Sequence, residues 1–251
     1  MPKKDNKPSI DVSLEELMEA GCHFGHQARR WHPKMAPYIW GKKDGIHIFD
    51  LDKTRQALLD AIEIVKKIAV EGKLIIFVGT KKQASQIITE EAVRAGMPFV
   101  AKRWLGGTLT NWKQLKLSVN KLIDLKIKRE AKELDKYTKK ERVLIDKQID
   151  KLEKFVGGLQ QLTGLPDAIF VVDIKREDAA VREAHILKIP VIAIVDSNCD
   201  PEMITTVIPG NDDALGTIRL ITSKIVDAIL EGKSLRHPEL IEQAEESSKV
   251  T

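Results

Sequence analysis

Cysteine is scarce in this chain, which has only Cys22 and Cys199 among 251 residues. The two lie far apart and form no Cys-x-x-Cys pair, which excludes a disulfide scaffold and a common type of zinc or redox site. No stretch approaches the roughly 18 consecutive apolar residues of a membrane-spanning helix. The first residues turn acidic and amphipathic where a secretory signal would be apolar. We therefore expect a protein of a reducing compartment, located in the cytoplasm.

An excess of one charge sign is also lacking. The 41 basic and 37 acidic residues give a formal charge of +4, too small to make the whole chain a polycation. The position of the surplus is more informative, because residues 113–154 hold 14 of the basic and 8 of the acidic residues and leave the remainder slightly acidic. Such a segment is either an ordinary solvated helix surface or a surface for an acidic partner.

Apolar runs alternate with helical patterns in both halves of the chain. The runs at 74–78, 168–172 and 191–195 are continuous, which is typical of strands buried on both faces. Helical patterns at 81–95 and 177–187 follow two of these runs. Strands of this kind, alternating with helices, belong in a sheet covered on both sides. The sequence therefore predicts an α/β fold with a doubly wound, mostly parallel sheet.

The pattern changes between residues 112 and 156, where Gly and Pro are absent. Ile145, Ile149, Leu152 and Val156 are spaced four and three residues apart, as in the seam of a coiled coil. We predict an inserted antiparallel two-helix coiled-coil hairpin. The predicted organisation is a flexible extension at 1–9, a discontinuous α/β domain at 10–106 and 158–232, the hairpin at 107–157, and a polar tail at 233–251.

All four tryptophans fall in two basic segments, although only 5% of the residues are aromatic. Basic side chains neutralise phosphate, aromatic rings stack on unpaired bases, and glycines let the backbone approach a sugar-phosphate chain. Tryptophans that anchor loops onto the core are the alternative. The predicted RNA-binding residues are Arg29, Arg30, Trp31, Lys34, Lys42, Lys43, Lys102, Arg103, Trp104, Gly106, Gly107 and Lys113.

Catalytic motifs are lacking, and we predict no catalytic residue. Gly79 lies between a predicted strand and a predicted helix, an arrangement that can bind phosphate at the start of the helix. The known phosphate-binding glycine motifs are absent, however, and an ordinary tight turn explains this glycine as well. An α/β enzyme acting on a nucleotide or phosphosugar, with Asp173 and Asp196 at strand ends, is the alternative function.

The sequence also contains candidate ligands for a metal ion. His23 and His26 lie three residues apart, and carboxylates follow predicted strands. The candidate ligands for a structural zinc or magnesium ion are His23, Asp196, Asp212 and Asp213. The same groups could equally cap loops and helices. We expect that no cofactor is required.

Six motifs, taken in order, resemble those of a known family, the bacterial small-subunit ribosomal protein number two. The resemblance covers nearly the whole chain. The motifs are GCHFGH at 21–26, DGIHIFDL at 44–51, FVGTKK at 77–82, RWLGGTLTN at 103–111, PDAIFVVD at 166–173 and EAHILKIPVIAIVDSNCDP at 183–201.

This resemblance implies an α/β body with a helical hairpin and a non-catalytic, structural role in the small ribosomal subunit, in the cytoplasm. It implies binding to small-subunit ribosomal RNA, a bridge between head and body, and support for docking of the large mRNA-binding ribosomal protein number one. The expected partners are that RNA and neighbouring small-subunit proteins, with no membrane and no small-molecule substrate. The family's basic-aromatic loop falls on Arg29, Arg30, Trp31, Lys34 and Lys42, and its Arg-Trp-Leu-Gly-Gly motif on Arg103, Trp104, Gly106 and Gly107. A protein-protein adaptor that touches no RNA is a third interpretation.

Overall fold

The computed structural model describes residues 10–236 and has an α/β fold. The predicted extension at 1–9 and the last fifteen residues of the predicted tail, 237–251, lie outside this range. The strands are β1 (Phe24–Gln27), β2 (Ile39–Lys43), β3 (Ile46–Phe49), β4 (Ile75–Val78), β5 (Phe99–Val100), β6 (Ala168–Val172), β7 (Val191–Val195) and β8 (Thr206–Pro209). The helices are α1 (Leu14–Glu19), α2 (Leu51–Val70), α3 (Lys82–Ala95), α4 (Trp112–Glu130), α5 (Lys139–Val156), α6 (Asp178–Ile186) and α7 (Leu215–Ser234).

Two compact units divide the chain, and the first contains residues 10–73, 192–202 and 206–236 of the described range. Its antiparallel sheet has the order β1-β3-β2, and its parallel pair joins β7 to β8 with Ile194 opposite Ile208. Helix α2 begins at its cap Asp50, whose carboxylate accepts the backbone N–H groups of the first turn. The buried faces of α2 and α7 pack on each other and form most of this unit's core.

The second unit contains residues 74–191 and 203–205. Its strands are parallel in the order β5-β4-β6, with Phe77 opposite both Phe99 and Phe170. Every residue of β4 and β6 is buried, as continuous apolar runs require. The predicted α/β class and parallel sheet are confirmed: the parallel sheet has five strands, β4 to β8.

Helices α4 and α5 occupy the region of the predicted hairpin. Thr138 and Glu141 form a capping box at the start of α5. Ile149 and Val156 of the predicted seam are buried, whereas Ile127 on α4 is 58% exposed. The coiled-coil arrangement and the boundaries 107–157 stay predictions, since both helices belong to the same unit as β4 to β6.

Three short strands were not predicted: β1, β2 and β8. The sequence of β2, Ile-Trp-Gly-Lys-Lys, does not alternate between apolar and polar residues, so period-two patterning does not mark it. The segment 26–43, which carries several of the basic residues predicted to bind RNA, Lys43 among them, ends in this strand, and the strand pairs with β3. In residues 10–236, no helix is long and apolar enough to cross a membrane.

Gly158 provides a test of the packing in the second unit. A Cβ atom there would clash with the carbonyl oxygen and ring of Phe99, whereas a Cβ at Gly164 would meet nothing within 4 Å. We expect Gly158→Ala to lower the free energy of unfolding by about 1–3 kcal/mol, because the clash involves backbone. Urea unfolding measures this, and Gly164→Ala is the control, with an expected change within about 0.5 kcal/mol. Equal effects of the two substitutions would contradict the predicted clash.

Candidate nucleic-acid interface

The first predicted RNA-binding segment, residues 26–43, is here called the basic loop. Arg29, Arg30, Lys42 and Lys43 are exposed on it. Trp31 stacks on the imidazole of His47, with ring centroids 5.1 Å apart and planes 15° from parallel. The loop also carries Trp40, whose side chain is 77% exposed. Accessible cations and accessible rings therefore alternate along this segment, which suits contact with phosphates and bases.

Ser197, which follows β7, fixes the start of the basic loop. Its hydroxyl accepts the backbone N–H of His26 at 2.8 Å, and its carbonyl accepts the N–H of His32 at 2.7 Å. A Cβ on Gly25 would lie 2.8 Å from the Ser197 hydroxyl oxygen, so a glycine is required for this close approach. These contacts anchor the loop backbone without using any of its cations.

The His26 imidazole lies between two carboxylates. Its Nδ1 is 3.0 Å from Oδ1 of the fully buried Asp196, and its Nε2 is 3.4 Å from Oδ2 of Asp213. The hydrogen bond to Asp196 is the main cause that raises the pKa of His26. Burial acts in the opposite direction, and the negative charges of Asp196, Asp212 and Asp213 add to the effect of the hydrogen bond. The imidazolium form is therefore favoured, and it compensates the buried charge of Asp196.

The candidate metal ligands are placed differently from the prediction. His26, not His23, lies beside Asp196 and Asp213. The ring of His23 instead contacts the ring of Phe24, with centroids 3.9 Å apart. Within residues 10–236, no group of three or more His, Cys, Asp or Glu side chains has an arrangement that could hold a metal ion. A zinc or magnesium ion remains a prediction without geometric support among these side chains.

Lys34 differs from the other cations of the basic loop. Its ammonium group lies 3.2 Å from Asp200 and also contacts the carboxylate of Glu202. His32 is 3.7 Å from the same Asp200 carboxylate. Hydrogen bonds to Glu202 and Asp200 raise the pKa of Lys34. Two carboxylates therefore compensate its charge, and Lys34 is less suited to phosphate than its exposed neighbours.

The second predicted segment, residues 102–113, is arranged around the carboxylate of Glu183 on α6. Trp104 Nε1 and the N–H of Gly107 donate to Oε1 at 3.0 and 2.8 Å. The N–H groups of Leu109 and Thr110 donate to Oε2 at 2.9 and 3.0 Å, and the Thr110 hydroxyl donates to it at 3.1 Å. Burial raises the pKa of Glu183, but these five hydrogen bonds outweigh it and leave the pKa below its ordinary value. An ionised carboxylate thus organises the whole turn.

This arrangement favours the alternative role for Trp104, in which the ring anchors a loop onto the core. Its side chain is only 7% exposed, and its N–H is used by Glu183, so the ring anchors the segment and has little free face for a base. Gly107 has a φ of +87°, a backbone conformation that favours glycine. Lys102, Arg103 and Lys113 are exposed.

The Gly79 turn behaves as a tight packing turn. A Cβ on Gly79 would lie 2.8 Å from the side chain of Ile88 on α3. The next residue, Thr80, donates its N–H and its hydroxyl to the buried Glu177, at 2.8 and 2.6 Å. Burial raises the pKa of Glu177, despite these hydrogen bonds. The Thr80 amide is thus already used, which removes one donor that a nucleotide phosphate would need.

Glu183, Glu177 and Ser197 were not recognised from the sequence as parts of a site. A signal existed for Glu183, because it shares a helical face with Ala180, Val181 and Ala184, which are buried. A lone acidic residue on a buried face implies several donors around it. The donors themselves lie more than 70 residues away and could not be assigned.

Comparison with known proteins matches the sequence of this chain to one family. The family model described as ribosomal protein S2 matches residues 17–232, which include both basic segments. The chain is also 52% identical over 225 residues to the small ribosomal subunit protein uS2 of Petrotoga mobilis (strain DSM 10674 / SJ95). That alignment covers 90% of this chain and 78% of the relative.

Replacement of Glu183 by Gln tests the carboxylate centre. The amide NH₂ would face backbone donors, so we expect the free energy of unfolding to fall by about 2–4 kcal/mol. Because the pKa of Glu183 is lowered, the difference from wild type should be full above pH about 4.5 and shrink as the pH falls through the folded-state pKa. Urea unfolding across this pH range measures both effects. Glu63→Gln, at an exposed position of α2, is the control, and a similarly small change at Glu183 would contradict this role.

His26 should make the opposite contribution to pH dependence. Its pKa is raised, so the stabilisation by its ion pairs is full below pH about 6.5 and is lost as the pH rises through the higher folded-state pKa. We expect His26→Gln to be destabilised by about 1–2 kcal/mol at pH 5.5 and by less at pH 9. Urea unfolding of the wild type and of His26→Gln measures the difference at each pH. The exposed His185 of α6 provides the control substitution His185→Gln, and a pH-independent difference at His26 would show that the ion pairs are not formed.

Proposed function

This chain belongs to the ribosomal protein S2 family, and from that premise we propose that it binds small-subunit ribosomal RNA through two basic segments. It is a structural constituent of the small ribosomal subunit and takes part in translation. The family is structural and not enzymatic. The RNA-binding role goes beyond family membership and is supported by the exposed cations of the two segments.

The main support for this proposal is that four cations of the basic loop are exposed. Arg29, Arg30, Lys42 and Lys43 are exposed in the same loop as the exposed Trp40. Ser197 anchors the backbone of this loop at His26 and His32 and uses none of these cations. Phosphates of folded RNA are recognised by such charges, largely through shape. Lys34 is left out of the phosphate-binding set because Asp200 and Glu202 compensate its charge.

The second segment supports the same role. Lys102, Arg103 and Lys113 are exposed around a turn that Glu183 fixes. Gly106 faces open space, since a Cβ there would meet nothing within 4 Å, so a ligand's backbone could approach it closely. Trp104 acts as a positioning residue in this proposal and no longer as a base-stacking one.

Helices α4 and α5 form an antiparallel coiled-coil hairpin in this proposal. The buried Val119 and Leu122 on α4 and Ile149 on α5 supply apolar positions for a seam, and Lys126 pairs with Glu153 across the two helices. The net positive charge of residues 113–154 favours a further RNA footprint or an acidic face of a neighbouring ribosomal protein.

Two finer parts of the role rest on the family resemblance alone. They are the bridge between head and body of the subunit, and the docking of the large mRNA-binding ribosomal protein number one. Neither needs a cofactor, a membrane or a small-molecule substrate. Within the ribosome, the expected partners are small-subunit ribosomal RNA and adjacent small-subunit proteins.

The salt dependence of RNA binding tests the proposed function. We expect Arg29→Ala and Lys42→Ala each to lower the slope of log K against log salt by on the order of 0.7–0.9, because each removes one phosphate contact. Filter binding of the full chain to a small-subunit ribosomal RNA transcript measures the slope. Lys67→Ala, on the exposed face of α2, is the matched control. A wild-type chain that sediments with small subunits but shows no salt-dependent RNA binding would point to the adaptor interpretation instead.

A further inference from the structure

A cleft of about 410 Å³ in the second unit has a strongly basic lining. It is formed by the turn after β4, the segment after β5 and the start of α6. Its lining includes Thr80, Lys102, Arg103, Trp104, Arg176 and Glu177. Three of these residues, Lys102, Arg103 and Trp104, belong to the second predicted RNA-binding segment, whereas Arg176 was assigned no role from the sequence.

The three cations of the cleft are exposed and remain available to a ligand. In the part of the chain that the structure describes, Lys102 and Arg103 have no carboxylate within ion-pair distance, and Arg176 makes no ion pair. The cleft's own carboxylate, Glu177, is 2% exposed and is engaged by Thr80. A cleft with three cations and one buried acid has a positive field that attracts an anion.

Thr80 positions Arg176 through a chain of hydrogen bonds. The Thr80 hydroxyl donates to Oε1 of Glu177 at 2.6 Å and accepts from Nε of Arg176 at 3.0 Å. Among residues 10–236, only the inner nitrogen of the guanidinium has a hydrogen-bond partner, so the two outer nitrogens can bind a ligand. Two parallel N–H donors at the end of a fixed side chain match two oxygens of a phosphate group.

The chemistry of the lining favours a phosphodiester over a free nucleotide. A nucleotide site normally supplies apolar or aromatic surface for the base. The one aromatic ring in this lining belongs to Trp104, which is only 7% exposed and whose N–H is bonded to Glu183. The cleft therefore offers charge for a phosphate but little surface for a base.

We propose that Arg176, Lys102 and Arg103 bind a phosphodiester of small-subunit ribosomal RNA in this cleft, with Thr80 as the positioning residue for Arg176. The inference deepens the proposed function and rests on it. It adds Arg176 to the RNA contacts, and it gives Thr80 and Glu177, at the Gly79 turn, a role in RNA binding and not in catalysis.

Removal of Arg176 tests the site. In filter binding of the full chain to a small-subunit ribosomal RNA transcript, we expect Arg176→Ala to lower the salt slope by on the order of 0.7–0.9. Affinity at about 0.1 M salt should fall roughly three- to tenfold. Lys175→Ala is the matched control, because Lys175 is the exposed neighbour in sequence and lies outside the cleft lining. Equal slopes and affinities for the two variants would overturn the proposal.

Two substitutions at position 80 test the positioning role. Thr80→Val removes the hydroxyl that holds Arg176, whereas Thr80→Ser keeps it, so the salt slope should fall for the first and return to the wild-type value for the second. Thermal melting of both variants shows whether they are folded. If both variants bind RNA like wild type, Thr80 does not position Arg176 for the ligand.

Inorganic phosphate and adenosine monophosphate test the alternative that the cleft binds the phosphate group of a small molecule and not that of RNA. We expect neither to raise the melting temperature of the full chain at 1 mM. If either ligand stabilises the wild type but not Arg176→Ala, while both proteins bind RNA equally, the cleft is a small-molecule site and the proposal fails. A wild-type chain that does not bind the transcript at all would instead contradict the proposed function, which the Arg29 and Lys42 variants test independently.

Discussion

Buried carboxylates fix both basic segments, and the accessible cations depend on them. Glu183 accepts five hydrogen bonds from residues 104–110, and Asp196 pairs with His26 at the start of the basic loop. A buried carboxylate is costly unless donors surround it. Here the donors are peptide N–H groups, an indole, a hydroxyl and an imidazole, so no lysine or arginine is consumed. The backbone of each segment is thus anchored, while its exposed cations face solvent.

Lys34 is the contrasting case, in which a cation of the basic loop is itself paired with carboxylates. It lies in the same basic loop, but its ammonium group is held by Asp200 and Glu202 on the surface. A surface ion pair contributes little to stability and leaves no net charge for a phosphate. Sequence alone treats Lys34 and Lys42 alike, because the two acids lie more than 160 residues from Lys34. The same ambiguity applies to the tryptophans: Trp104 and Trp112 are buried, whereas Trp31 and Trp40 are exposed.

The features that the sequence could predict are those set by local pattern. The continuous apolar runs became β4, β6 and β7 because only a strand covered on both faces tolerates such a run. The capping boxes of α1 and α5 are local in the same sense, since a capping box needs only residues three apart. Short strands such as β1 and β8 depend on distant partners, as does the choice of His26 over His23 beside Asp196. No local pattern contains that information.

In the cleft beside Thr80, a buried carboxylate also positions a cation without pairing with it directly. A hydroxyl has a single proton, and the Thr80 proton is directed to the buried Glu177. Its oxygen is then left only as an acceptor, and the Arg176 Nε–H is the donor that meets it. A buried acid thereby sets the direction of an exposed guanidinium through a neutral hydroxyl. Glu177 and Arg176 attract each other electrostatically, but the hydroxyl lies between them and no direct ion pair forms. The turn at Gly79 contributes no catalytic group to this arrangement; it contributes the geometry that turns an arginine toward a phosphate.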